Sequence, residues 1–187
     1  MYLRPSLSCL KGQSNLTGVE IGVNCGTNAE SMFINLDIKK LYLIDPYSFY
    51  SNQRGSGCNV TEEQNVECRK AAHDLLAPYS DRIEWIEKPS DVAVLELTEL
   101  EFDFVYVDGN HMHQYVMADV FNYFQLIKPG GMIVCHDFES PEVNKGVMSV
   151  LAHFSMKNGN RYHVHVEETL GGPRPVYEAW WFNQVVV

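Results

Sequence analysis

The segment Thr17–Leu36, TGVEIGVNCGTNAESMFINL, decides how the rest of the chain is read. Thr17–Val23 is an apolar run of the length of a buried strand, and Thr27–Leu36 carries apolar residues at helical spacing. Between them stands Glu20-Ile21-Gly22-Val23-Asn24-Cys25-Gly26, an E-x-G-x-x-x-G pattern. Glycines at a strand-to-helix turn let the backbone bend sharply and approach a ligand closely, while the helix start offers free N–H groups. Asn24 separates this pattern from the G-x-G-x-x-G dinucleotide loop. A tight turn without a ligand is the alternative reading of these glycines taken alone.

Outward from this segment, apolar runs and helical patterns keep alternating. Strands are expected at Leu41–Ile44, Arg82–Glu87, Phe102–Val107 and Met132–Cys135. Helices are expected at Glu62–Leu76, from Pro89-Ser90-Asp91 onward, at Gln114–Ile127 and at Val143–Phe154. That order predicts an α/β fold with a mostly parallel sheet and helices on both faces. Tyr162–Val166 and Val176–Phe182 close the chain, joined by Glu167–Pro175, which is too short for a helical crossover. They should pair as an antiparallel hairpin, making a seven-stranded sheet with an antiparallel C-terminal strand. Trp180-Trp181-Phe182 reads as core on an alternating strand with one ring exposed.

The chain has 187 residues, the size of one domain. Its 24 acidic against 14 basic residues give a net charge of −10, which disfavours non-specific binding to nucleic acid or membrane. No apolar run reaches a membrane-spanning length, and the first fifteen residues hold no signal-type apolar stretch. Cys9, Cys25, Cys58, Cys68 and Cys135 are odd in number with no close pair. The expectation is therefore no disulfide framework, no CxxC zinc site and a cytoplasmic protein.

VEIGVNCG, LYLIDPY, FDFVYVDGNH and LIKPGGMIVCHDF, in that order, resemble the motifs of class I S-adenosylmethionine-dependent methyltransferases. The DPY, DGNH and HDF details resemble the small-molecule O-methyltransferase-like branch related to macrocin O-methyltransferase. The resemblance implies one Rossmann-like methyltransferase domain over 1–187, with core motifs at 17–138 and a C-terminal helix and hairpin at 141–184. It implies S-adenosyl-L-methionine as cofactor. Glu20 would lie near the methionine amino end, Gly22, Asn24 and Gly26 against the cofactor backbone, Asp45 on the ribose, Ser90 with Asp91 at the adenine, and Asp108 would contact the cofactor as well. Pro89-Ser90-Asp91 reads equally as a helix start with Ser90 as cap.

Strands four and five end in Asp108 and in His136-Asp137, and adjacent strands lie roughly 5 Å apart. Asp108 and Asp137, with His136 or His111, make an oxygen-and-imidazole set suited to Mg²⁺ or another divalent metal. Related metal-dependent O-methyltransferases place acids or amides at these strand ends. Without a metal, His111 or His136 is the expected general base, with Asp108 beside it. Tyr115 and Asp119 are placed to orient His111, and a solvent-facing Asp119 is the alternative. The loop Pro46–Val60, with Tyr47, Phe49, Tyr50 and Arg54, is expected to cover the site as a lid. The expected partner is a small-molecule acceptor, and the apolar Val185-Val186-Val187 tail is compatible with a homo-oligomer.

Overall fold

The computed structural model describes residues 2–48, 61–158, 162–169 and 175–183. The elements run β1 (Leu16–Ile21), α1 (Thr27–Asn35), β2 (Ile38–Ile44), α2 (Glu62–Leu76), β3 (Ile83–Ile86), α3 (Ser90–Ala93), β4 (Phe102–Val107), α4 (His113–Phe124), β5 (Ile127–Cys135), α5 (Pro141–Asn158), β6 (His165–Thr169) and β7 (Val176–Phe182). The strands form one sheet in the order β3-β2-β1-β4-β5-β7-β6. Pairs from β3 through β5 are parallel, and β7 runs antiparallel to both β5 and β6. The seven strands, the parallel centre and the antiparallel C-terminal strand are those expected from the sequence.

Both faces of the central strands are buried, which is why β4 reads as an almost unbroken apolar run. Val105, Val107, Ile133 and Cys135 face a core completed by Val116 and Val120 of α4 and Val147 of α5. Phe104, Tyr106, Met132 and Val134 face a second core with Met32 of α1, Ala72 of α2, and Leu3, Leu7 and Leu10. Those last three belong to an N-terminal segment with one 3-10 turn at Ser6–Leu10, an element the sequence pattern did not announce. Glu178 of β7, fully buried, accepts hydrogen bonds from Tyr106 Oη, Ser6 Oγ (2.8 Å) and Ser6 N (3.2 Å). These bonds give the buried carboxylate partners and tie the N-terminal segment to the sheet. Among the described residues no helix is long and apolar enough to cross a membrane.

Several boundaries differ from the sequence pattern, each for a tertiary reason. β2 begins at Ile38, not Leu41, because Ile38 pairs with Leu16, and Lys40 keeps its charge solvated beside Glu84 while donating to Ile83 O at 3.0 Å. α4 stops at Phe124, and β5 starts at Ile127 because Ile127 pairs with Phe102 across a register shift. β6 is displaced to His165–Thr169, where Thr169 is buried and its hydroxyl donates to Val176 O. Trp180 and Trp181 are both buried, one in each core, because β6 covers what would have been an exposed edge. The tail at 185–187, and all but the first residues of the expected lid, lie outside the described residues.

The cysteine expectation is corrected. Cys25 and Cys68 form a disulfide, with Cα atoms 4.5 Å apart and a separation of 43 residues in sequence. The pairing arises because α2 packs on the glycine loop: a Cβ at Gly26 would lie 3.2 Å from Ala72 Cα. Closing a loop of that length stabilises the fold by about 4 kcal/mol in the chain-entropy model. Reductant should therefore lower the urea midpoint of the wild type and leave that of the Cys25→Ser, Cys68→Ser double variant unchanged. Equal midpoints for the wild type with and without reductant would contradict the bond's stabilising role.

Candidate active site

The parallel strands deliver their C-terminal ends to one edge of the sheet, and the strand order reverses between β1 and β4. Ligands of open α/β sheets bind in the crevice at such a point. Backbone bonds carry the ladder one residue beyond the strands. Gly22 N donates to Ile44 O (2.9 Å), Asp108 N to Ile21 O (2.8 Å) and His136 N to Val107 O (3.0 Å). The first residues past each strand are thereby held at fixed heights along the edge. A cavity of about 820 Å³ opens there.

Gly22, Asn24, Asp45, Ser90, Asp108, His111, His136 and Asp137 all line this cavity. At Gly22, φ is +86°, and a Cβ would fall 2.0 Å from Asp108 O, so β1 and β4 approach here only as glycine allows. Asp45 holds the glycine loop: its Oδ2 accepts from Asn24 N and its Oδ1 from Tyr47 N, both at 2.9 Å. Tyr47 Oη in turn donates to Asn24 O at 2.9 Å, so this aromatic is pinned inward instead of belonging to a lid. Phe49, Tyr50 and Arg54 lie outside the described residues. Burial raises the pKa of Asp45, against the backbone N–H groups that lower it.

Glu20 and Gly26 are not on the cavity wall. Glu20 is 1% exposed; its Oε1 accepts from Asn28 Nδ2 at 2.9 Å and its Oε2 is buried without a partner. Burial pushes its pKa up to about 8. A buried carboxyl with one open oxygen beside the glycine loop suits a cationic ligand group nearby. Asn28, which shares Glu20, has no motif in the sequence to single it out. Gly26 faces α2 instead of the cavity.

Past the ends of β4 and β5, the His111 ring stands between two carboxylates. His111 Nε2 is 3.3 Å from Asp108 Oδ1, and its Nδ1 is 3.3 Å from Asp137 Oδ2. His136 Nδ1 lies 3.3 Å from Asp108 and 3.4 Å from Asp137, off the line a hydrogen bond needs, and both its ring nitrogens are enclosed. Burial opposes the charged form of each group, yet the pairing outweighs it. The pKa of Asp108 is held well below the carboxylate range by His136 and His111, and Asp108 drives that of His136 up to about 10. A ring held in its charged form steadies Asp108; it does not withdraw a proton at neutral pH. Ligand atoms of Asp108, His111 and Asp137 lie within 4.8 Å of one another, so the set open to a metal has His111, and not His136, as its imidazole.

Asp119 neither orients His111 nor faces water. It is 3% exposed, and its Oδ1 accepts from Ser90 Oγ at 2.5 Å. Ser90 is the first residue of α3 and caps nothing with its side chain. Asn65, Gln114, Tyr115 and Ala118 also line the cavity, brought there by packing that no local pattern reports.

A family model described as a methyltransferase domain matches residues 19–138. The chain belongs to that family. The matched methyltransferase domain spans β1 through the first residues past β5 and so contains every cavity-lining residue named above. An uncharacterized protein of Acanthamoeba polyphaga mimivirus, R132, is 28% identical over 144 residues, 75% of this chain and 61% of that protein. The chain thus spans less than two thirds of that relative. Among solved structures, a precorrin-6y C5,15-methyltransferase from Geobacter metallireducens is similar with a TM-score of 0.66 at 14% identity, over 95% of this chain and 85% of that one. An O-methyltransferase from Bacillus cereus in complex with SAH has a TM-score of 0.63 at 14% identity, over 89% and 73%. At these identities the likeness is one of fold.

Proposed function

We propose that the chain transfers a methyl group from S-adenosyl-L-methionine to a hydroxyl of a small molecule, a sugar or natural product. The DPY, DGNH and HDF sequences support the O-methyltransferase-like branch related to macrocin O-methyltransferase. The observation that carries the reading is that one cavity joins two chemistries. Gly22, Asn24 and Asp45 form a nucleoside-type loop, and Asp108, His111 and Asp137 form a polar cluster in the same cavity. The sulfonium supplies an already electrophilic methyl group, so the protein's task is to align an oxygen and accept its proton. Asp45 offers its remaining lone pairs to ribose hydroxyls, and the unpartnered Oε2 of Glu20, beside the glycine loop, would accept from the ammonium end, whose charge would favour the ionised carboxylate. Asp108 and Asp137, ionised beside the histidines, accept a hydrogen bond from the hydroxyl and orient it, and His111 in its neutral form takes the proton as the methyl group is transferred.

The donor set of Asp108, His111 and Asp137 also fits Mg²⁺ or a similar divalent ion. Such an ion would lower the pKa of the acceptor hydroxyl. The net charge of −10 favours a small acceptor over nucleic acid.

S-adenosylhomocysteine should raise the melting temperature by several degrees, and NAD should not. At 100-fold excess over its dissociation constant, a ligand adds about 2.7 kcal/mol. No shift with S-adenosylhomocysteine would overturn the proposal. A shift without methyl transfer to any of a panel of hydroxylated small molecules would favour a nucleoside-binding module.

A further inference from the structure

The Cys25–Cys68 bond joins the glycine loop to α2 and stands beside two residues of the cavity wall. Cys25 directly follows Asn24, and Cys68 comes one helical turn after Asn65. Asn24 and Asn65 both line the cavity. The two bonded cysteines are partly exposed, whereas Cys135 is buried. Exposed disulfides are the labile, regulatory kind, because a thiol can reach them. The loop held by this bond is a constrained one. Asn24 has a φ of +49° and Tyr47 of +44°, in the left-handed region that side chains disfavour. Asp45 accepts from the Asn24 N–H, the Tyr47 hydroxyl donates to the Asn24 carbonyl, and Gly26 is pressed against Ala72 of α2. Cys25 thus lies between the residue that faces the cavity and the glycine that faces the helix.

On the helix side, Asn65 is 6% exposed, and its Nδ2 is buried without a partner among the described residues. A buried donor left unbonded disfavours this seat of α2, and the covalent tie at Cys68 opposes withdrawal of the helix. With the bond open, the register of loop and helix rests on noncovalent contacts alone. We propose that Cys25 and Cys68 form a thiol–disulfide exchange site whose redox state sets the affinity of the nucleoside-type loop, the oxidised form binding more tightly. This role rests on the proposed use of S-adenosyl-L-methionine. In the reducing direction, a low-molecular-weight dithiol attacks one sulfur of the bond and displaces the other cysteine as a thiol. The second thiol of the reductant then releases the first cysteine, so two electrons and two protons pass to the pair and the reductant leaves as a disulfide. Oxidised glutathione reverses the exchange and leaves as two thiols. Because both equilibria share one protein, nucleoside binding must protect the bond from reduction by the same factor.

Calorimetry with S-adenosylhomocysteine should give a dissociation constant roughly tenfold higher for the reduced protein than for the oxidised one. The Cys25→Ser, Cys68→Ser double variant should show the weaker constant, with or without reductant. A double variant that binds as tightly as the oxidised wild type overturns the proposal. The second measurement uses the wild type in graded glutathione buffers, with free thiols alkylated and counted by mass. Saturating S-adenosylhomocysteine should raise the ratio of squared reduced to oxidised glutathione at half reduction by about tenfold. That rise should then level off, because both folded forms bind. A rise that keeps growing with ligand would mean that reduction unfolds the protein, and it overturns the proposal in favour of a purely structural bond. If the double variant does not fold, these wild-type titrations decide alone, and no rise overturns the proposal. Equal affinity of the oxidised and reduced protein overturns this role and leaves the proposed cofactor standing. Binding in neither state overturns the proposed cofactor along with this role.

Discussion

Gly22→Ala should destabilise the protein by more than about 3 kcal/mol, measured as a fall in the urea midpoint. An added Cβ would lie 2.0 Å from Asp108 O and 2.8 Å from Gly109 Cα, so the clash is with backbone. That backbone cannot retreat freely, because Asp108 N is bonded to Ile21 O at 2.8 Å. The φ of +86° adds a conformational penalty of its own. Gly130→Ala is the matched control: its φ is +82°, but nothing lies within 4 Å of the added carbon. It should cost only about 1 kcal/mol, the backbone term alone. The difference isolates the close approach of β1 to β4. Equal midpoints for the two variants would show that the strand ends separate easily, and the cavity edge would then not be rigid.

Residues placed directly after a strand were legible in the sequence. Gly22, Asp45, Asp108 and Asp137 each stand just past an apolar run, so the topology alone brings them to one edge. The ribose-type acid and the paired strand-end acids needed only the βαβ order to be placed. Residues delivered by helix packing were not legible. Asp119 sits on a face of α4 that looks solvated in sequence, because its burial depends on α3 closing over it. Asn28 meets Glu20 across a turn, and Cys68 meets Cys25 across two elements. The split between the histidines has a similar origin. His136 continues β5 and turns its ring nitrogens into the protein, whereas His111 leaves the strand direction on a loop and faces Asp137. The N-terminal segment was invisible because three separated leucines gain their meaning only from the sheet face that they cover.

Asp108→Asn and Asp137→Asn should each lower turnover by about 10³-fold or more, while S-adenosylhomocysteine affinity changes by less than about threefold. Asparagine keeps the shape of either side chain and removes the charge. At Asp108 the charge matters twice: it holds His136 in its protonated form and lies 3.3 Å from His111. Its loss leaves His136, among the described residues, with only Asp137 near enough to favour the charged ring. At Asp137 the loss frees His111 Nδ1 from its carboxylate, so the ring is no longer fixed between two acids. In either variant a divalent ion would lose one of the three donors gathered here. Neither change touches Gly22, Asn24 or Asp45, so the nucleoside end should be preserved. Methyl transfer would be followed on whichever hydroxylated small molecule the wild type accepts, with calorimetry for the nucleoside. Unchanged turnover in both variants would remove this cluster from the reaction, and a parallel collapse of nucleoside binding would mark it as part of the cofactor site instead.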